Sequence, residues 1–250
     1  MRCVKRQVLT NDVQADLDRR QAATDAACHA PGFDAQAVWS AARRTCTVES
    51  VHETLRAMMG DRERCMYCLD SHGTDIEHFW PKAPYPERMF RWLNLLLCCT
   101  ECGRFKGKQF PLSAAGMPML VDPTTENPWE HLDFDPKTGN IVPRFDLAAN
   151  DYSAKGRETV RVLNLDRREA MAKGYKRTLR RIAGVCDEAL NDAHPDPAAL
   201  MFRLREADDH GLLAWCFKGS GANDYPFSEL RAKHPAVWSA CVAAVEEFGA

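Results

Sequence analysis

Two C-x2-C pairs, Cys65 with Cys68 and Cys99 with Cys102, stand thirty residues apart and constrain this chain more than any other feature. Each pair folds two thiolates toward one corner, and two corners supply the four sulfur ligands that a tetrahedral zinc ion prefers. Cys98 adjoins the second pair, but its spacing to Cys102 is x3; with Cys99 as the ligand, Cys98 points elsewhere. The bland reading is four buried free thiols. Two x2 corners in one segment favour a structural zinc site, closed at all four positions, that contributes folding energy rather than chemistry. The loop between the corners is longer than the roughly 15–20 residues of a simple zinc ribbon. It holds polar residues that the clamp does not need: Asp75, Glu77, His78 and Asn94.

Eleven cysteines are many for a chain whose opening, MRCVKRQVLTNDVQADLDRR, lacks the apolar stretch of a secretion signal. The expected setting is reducing and cytoplasmic, where clustered thiols bind metal rather than form disulfides. Cys3, Cys28, Cys46, Cys186, Cys216 and Cys241 are scattered, and are expected as buried free thiols acting as small hydrophobes. The longest apolar run, Leu95 to Cys99, is too short to span a bilayer, so no membrane role is expected. A formal net charge of −2 excludes nucleic-acid binding through overall charge; any basic surface must be local.

Three regions follow from the patterning. Residues 1–60 read as helices: one from Thr10 or Asn11 to about Cys28, a second capped by Asp34, a third from Thr47 to a stop at Gly60. Residues 61–112 are the cysteine segment, expected as strand, loop, strand, helix. Residues 113–250 open with a Pro-, Asp- and Gly-rich linker whose DFDPKTGNIVPRFD reads as a hairpin turning over Lys137 to Asn140. They then return to helix. Asp166 and Glu169 have capping-box spacing, and Met171, Tyr175, Leu179, Ile182, Cys186 and Leu190 recur along one helical face. Further helices are expected near 198–207 and 233–248.

Within the cysteine segment a carboxylate sits beside an imidazole on a strand-like stretch. Alternation puts Asp75 and Glu77 on one side and His78 on the other. A carboxylate suits a hard divalent cation, and His suits a general base near neutral pH. A solvated acidic strand and a turn or capping Asn94 are the plain readings of the same residues.

The full pattern, CMYC followed by DIEHFWPK, WLNLLLCCTEC and FKGKQFP, resembles the HNH endonuclease superfamily. More narrowly it resembles the retron- and Septu-associated HNH family (PtuB-like). The opening Met-Arg-x-x-Lys-Arg and the later Val162 to Arg168 are also similar to that family. The resemblance implies a mainly α chain with a small zinc-bound ββα-metal (HNH, treble-clef-like) module. It implies that Cys65, Cys68, Cys99 and Cys102 bind zinc. His78 would be the general base, Glu77 a ligand to Mg²⁺ or another catalytic divalent cation, and Asn94 the residue that fixes the loop and orients His78. Lys106 would be a basic residue near the phosphates. The family carries His or Asn directly after the last zinc cysteine, whereas this chain has Gly103. Water or Asp75 would then complete the coordination, or the metal site is weaker, or the nuclease is impaired.

The resemblance implies phosphodiester hydrolysis, with DNA favoured over RNA, by the nuclease subunit of an anti-phage system. Its partner would be a Septu-type, PtuA-like ATPase subunit, with or without a retron. Two alternatives stay open: an impaired zinc module that binds nucleic acid or protein, and a stand-alone restriction-type HNH nuclease. Lys82, Arg91, Arg104, Lys106 and Lys108, with Arg88, are expected around a bound phosphate backbone. Between Lys155 and Arg181 ten basic residues face three acidic ones, either a solvated helix face or a second contact for backbone or partner. Trp80 and Trp92 are expected to pack the small core rather than stack on bases.

Overall fold

The computed structural model describes the backbone of residues 1–249 and side chains through residue 246. It forms two compact units, one of Arg6–Tyr67 with Ser71–Pro118, the other of Met1–Lys5, Cys68–Asp70 and Met119–Ala250.

The first unit begins with three helices, α1 (Asn11–Ala27), α2 (Ala35–Ala42) and α3 (Cys46–Met59). Asp34 caps α2, its carboxylate accepting from the backbone N–H of Gln36 at 2.8 Å and Ala37 at 3.2 Å. Helix α3 buries Val48, Val51, Leu55, Met58 and Met59 along one face, and Gly60 ends it with a φ of +73° that few other residues adopt. Next come β1 (Asp75–His78), β2 (Leu95–Cys98) and α4 (Thr100–Lys106), the strand, loop, strand, helix order the sequence suggested. The strands pair antiparallel, Glu77 opposite Leu96 and His78 opposite Leu95. Strand β2 is buried on both faces, which explains its unbroken apolar run. Strand β1 is half-buried until His78, where it becomes fully buried.

The second unit carries the expected hairpin, β3 (Leu132–Asp135) and β4 (Asn140–Pro143), and a two-residue pair, β5 (Phe145–Asp146) with β6 (Asp151–Tyr152). Gly139 closes the hairpin at a φ of +86°, and a Cβ there would stand 2.4 Å from the Ala172 carbonyl. Helices α5 (Ala154–Leu163), α6 (Glu169–Asn191), α7 (Pro197–Ala207), α8 (Leu213–Lys218), α9 (Phe227–Lys233) and α10 (Pro235–Gly249) complete it. Phe134 packs against Tyr175 and Trp215 at ring separations of 5.9 Å and 5.2 Å.

Three expectations are corrected. Asp166 does not cap α6. Asn164 ends α5 in the left-handed conformation, and the turn it starts uses up the residues before Glu169, so Arg168 takes the cap position without a side-chain cap. Along α6, Met171, Tyr175, Ile182 and Cys186 are buried as expected, but Thr178 and Ala189 share the inner face while Leu179 and Leu190 are only half-buried. Of the scattered cysteines, Cys186, Cys216 and Cys241 are buried, Cys3 and Cys28 half-buried, and Cys46 is exposed. Burial pushes the thiols of Cys186 and Cys241 up to about 12 and about 11, which keeps them protonated and unreactive. Among the described residues no helix is long and apolar enough to cross a membrane.

Candidate functional site

The four paired cysteines converge. The sulfurs of Cys65, Cys68, Cys99 and Cys102 all lie within 4.8 Å of one another, and all four residues are buried. They are the one such group of metal-ligating side chains among the described residues. Leu69, at a φ of +51°, turns the chain just after the first pair. Cys99 is the N-cap of α4, and its sulfur accepts the Cys102 N–H at 3.4 Å, so the helix start itself sets the second corner. Cys98 stays outside the set, its thiol donating to the Cys99 carbonyl at 3.3 Å. Four buried sulfurs with no disulfide among them fit zinc: tetrahedral, soft and closed.

His78 is 3% exposed. Its Nε2 lies 3.0 Å from the Met89 carbonyl oxygen. A carbonyl only accepts, so Nε2 carries the proton and Nδ1 keeps its lone pair. The ring sits edge-on to Trp39 of α2 at 4.4 Å. Burial, the charge of Lys82 and that of Lys106 push the imidazole down to about 3, with the Met89 bond opposing them. The ring is therefore neutral at physiological pH.

Asn94 is buried and clamps the loop between the strands. Its Oδ1 accepts from Trp80 N–H at 2.7 Å, and its Nδ2 donates to the carbonyls of Trp80 at 3.1 Å and Arg88 at 2.9 Å. Its own carbonyl accepts from Phe79 N–H at 2.8 Å. The segments on either side of the loop are thus fastened next to His78 and Met89.

Two residues that sequence reasoning missed support the same loop. Gln21 of α1, wholly buried, accepts the Phe90 N–H at 2.7 Å and donates to the Pro86 carbonyl at 3.0 Å. Arg6 donates to the carbonyls of Trp92, Leu93 and Leu95 at 3.1, 3.0 and 2.7 Å. Arg6 belongs to the quoted N-terminal motif, so its basic charge was a signal. Nothing in the pattern around Gln21 marked it.

Glu77 is 19% exposed, with Oε1 2.8 Å from the Lys106 ammonium. Lys106 is wholly buried and also donates to the His78 carbonyl at 2.7 Å. Asp75 pairs with Arg43 at 3.1 Å, at the exposed start of β1. Gly103 lies on α4 beside Glu77: a Cβ added there would stand 3.6 Å from Oε2.

Of the basic residues expected near phosphates, Lys82 is half-buried and close enough to interact with Glu77, Lys106 and Lys108; burial lowers its affinity for a proton. Arg104 and Lys108 are exposed, and Arg91 pairs with Asp25 at 3.6 Å. Trp92 is buried, its indole N–H donating to the Gln7 carbonyl at 3.0 Å. Trp80 is half-buried among Tyr85 and Phe110, with the Arg88 guanidinium 4.2 Å above its ring. On α6, Lys173 pairs with Glu169 and Arg181 with Asp209, and Arg177 and Arg180 are exposed; Arg168, at the cap position before the helix, is buried.

Over 121 residues the chain is 29% identical to the Septu protein PtuB of Bacillus thuringiensis. The match covers 46% of this chain, and the chain spans about two fifths (41%) of the length of that relative. No family model matches the chain.

Proposed function

We propose that this chain is a metal-dependent HNH-type endonuclease that hydrolyses nucleic-acid phosphodiester bonds, DNA before RNA. It would act as the nuclease subunit of an anti-phage defence system, with a PtuA-like ATPase as its partner. The observation that carries the reading is the single defined tautomer of His78, whose Nε2 is held by the Met89 carbonyl so that Nδ1 keeps its lone pair, on the residue next in sequence to Glu77. The likeness to a Septu PtuB protein supports the defence setting and the partner.

In this reading β1, β2 and α4 are the ββα module, and zinc on Cys65, Cys68, Cys99 and Cys102 holds its shape. His78 Nδ1 takes a proton from water as the oxygen adds to phosphorus. The bond from phosphorus to the 3′ oxygen breaks, and that oxygen leaves with a proton from solvent. Glu77 fits a hard divalent cation such as Mg²⁺, because Oε2 faces the space beside Gly103 while Oε1 is taken by Lys106. The cation would draw charge from the scissile phosphate and the departing oxygen. Asn94 holds the loop on which Met89 fixes the ring. Lys82, Arg104 and Lys108 would attract the phosphate backbone from the rim.

The reading is tested by incubating the purified protein, alone and with a PtuA-like ATPase, with plasmid DNA and with RNA in Mg²⁺. Nicked or linear DNA, and co-purification of the two subunits, are expected. Intact DNA and RNA under all divalent cations would reject the nuclease reading. Failure of the two proteins to associate would reject the Septu-type partnership.

A further inference from the structure

Lys106 is the last residue of α4, and none of its side chain is exposed. A buried ammonium is stable only where acceptors replace its lost water. It has two: Glu77 Oε1 at 2.8 Å and the His78 carbonyl at 2.7 Å. One cation thus bridges the side chain of Glu77 to the backbone of the very next residue. The other carboxylate oxygen faces one turn back along the same helix, toward Gly103. A Cβ at Gly103 would meet only Glu77 Oε2 at 3.6 Å and Cys98 Sγ at 3.9 Å, both ordinary contacts. The helix there has room for a side chain and carries none.

We propose that Lys106 is a positioning residue that splits the Glu77 carboxylate. It occupies Oε1 and so leaves Oε2 alone to hold a divalent cation. By gripping the His78 carbonyl as well, it fixes the distance between that cation and the base. This rests on the metal-dependent nuclease reading above. A cation held by one protein oxygen is weakly bound in the free protein, and takes its remaining ligands from water and from nucleic-acid phosphate. Cation and nucleic acid therefore bind with mutual reinforcement, each tightening the other by the same factor.

The test is Mn²⁺ binding to the full chain, read from the spin-resonance signal of free Mn²⁺, with and without a phosphorothioate duplex that resists cleavage. Wild type is expected to bind Mn²⁺ weakly alone and at least fivefold more tightly with the duplex. Lys106→Met frees Oε1 and removes a competing charge, so the protein alone should bind Mn²⁺ at least fivefold more tightly. Its kcat should fall about tenfold or more, with KM for nucleic acid little changed, because the carboxylate and the base are no longer tied. Lys106→Gln keeps a neutral donor for the His78 carbonyl and should shift Mn²⁺ affinity in the same direction, by less; it serves if the Met variant fails to retain zinc. Gly103→His should tighten Mn²⁺ in the absence of duplex. Unchanged or weaker Mn²⁺ binding by a zinc-replete Lys106 variant would overturn the proposal. Glu77→Gln separates the two layers: if it leaves Mn²⁺ binding intact, the metal reading of Glu77 fails, whatever Lys106 does.

Discussion

His78 donates its Nε2 proton to the main-chain oxygen of Met89 across 3.0 Å, and this one bond decides which nitrogen of the ring is basic. Met89 lies in the loop between β1 and β2, so the tautomer depends on that loop keeping its shape. Asn94 grips the loop from within, and Gln21 holds it from helix α1.

The buried imidazole should make stability fall in mild acid. In the unfolded chain His78 takes a proton near its ordinary value of 6.5, whereas in the folded chain it does so only near 3. Its contribution is complete above pH 6.5 and is lost as pH falls toward 3, at about 1.4 kcal/mol per pH unit. Urea unfolding at pH 7 and pH 5 should show wild type losing on the order of 2 kcal/mol more than His78→Asn. Equal losses in the two proteins would show that His78 is not held neutral.

Asn94→Ala removes one acceptor and two donors from part-buried backbone groups of Trp80 and Arg88. A destabilisation of about 1–3 kcal/mol is expected from the groups left unpaired. Cleavage should fall by at least tenfold even where the variant is fully folded, since the Met89 carbonyl is no longer fixed. Denaturation and single-turnover rates, measured on one preparation, check both.

Gln21→Leu leaves the Phe90 N–H and the Pro86 carbonyl without their side-chain partner. The expected cost is about 1–3 kcal/mol. Because Gln21 bonds the loop at Pro86 and Phe90 and not the cysteine corners, zinc content should stay at the wild-type level. A drop in activity with normal zinc would identify the loop as the affected part.

Freshly purified protein should contain one zinc per chain. Cys68→Ser or Cys99→Ser should abolish it, and Cys98→Ser should not, because the Cys98 thiol donates to the Cys99 carbonyl instead of joining the cluster. Chelation should unfold the segment around β1, β2 and α4, as expected where metal binding supplies folding energy. Metal analysis with circular dichroism measures both.

Much of this was legible in the residue pattern. The paired cysteines, the strand at Asp75–His78, the buried strand before Cys99 and the hairpin near Gly139 all announce themselves by spacing, alternation or turn residues. The chain's capping signals served less well at Asp166, because a local carboxylate pattern cannot reveal that Asn164 has already turned the backbone. Lys106 was legible as a cation near the site, but not as a buried one. Its burial follows from the facing of α4 on β1, a tertiary fact. Gln21 was invisible for the same reason: a polar residue on a mostly polar helix carries no mark of the loop it will hold.

The role of His78 as the base is tested most directly by comparing wild type with His78→Ala in a Mg²⁺-dependent cleavage assay, using protein whose zinc content and folding are matched. Wild type is expected to cut, and the variant to lose at least a hundredfold in rate with nucleic-acid affinity retained. Cleavage by the variant at the wild-type rate would contradict the assignment of His78 as the base.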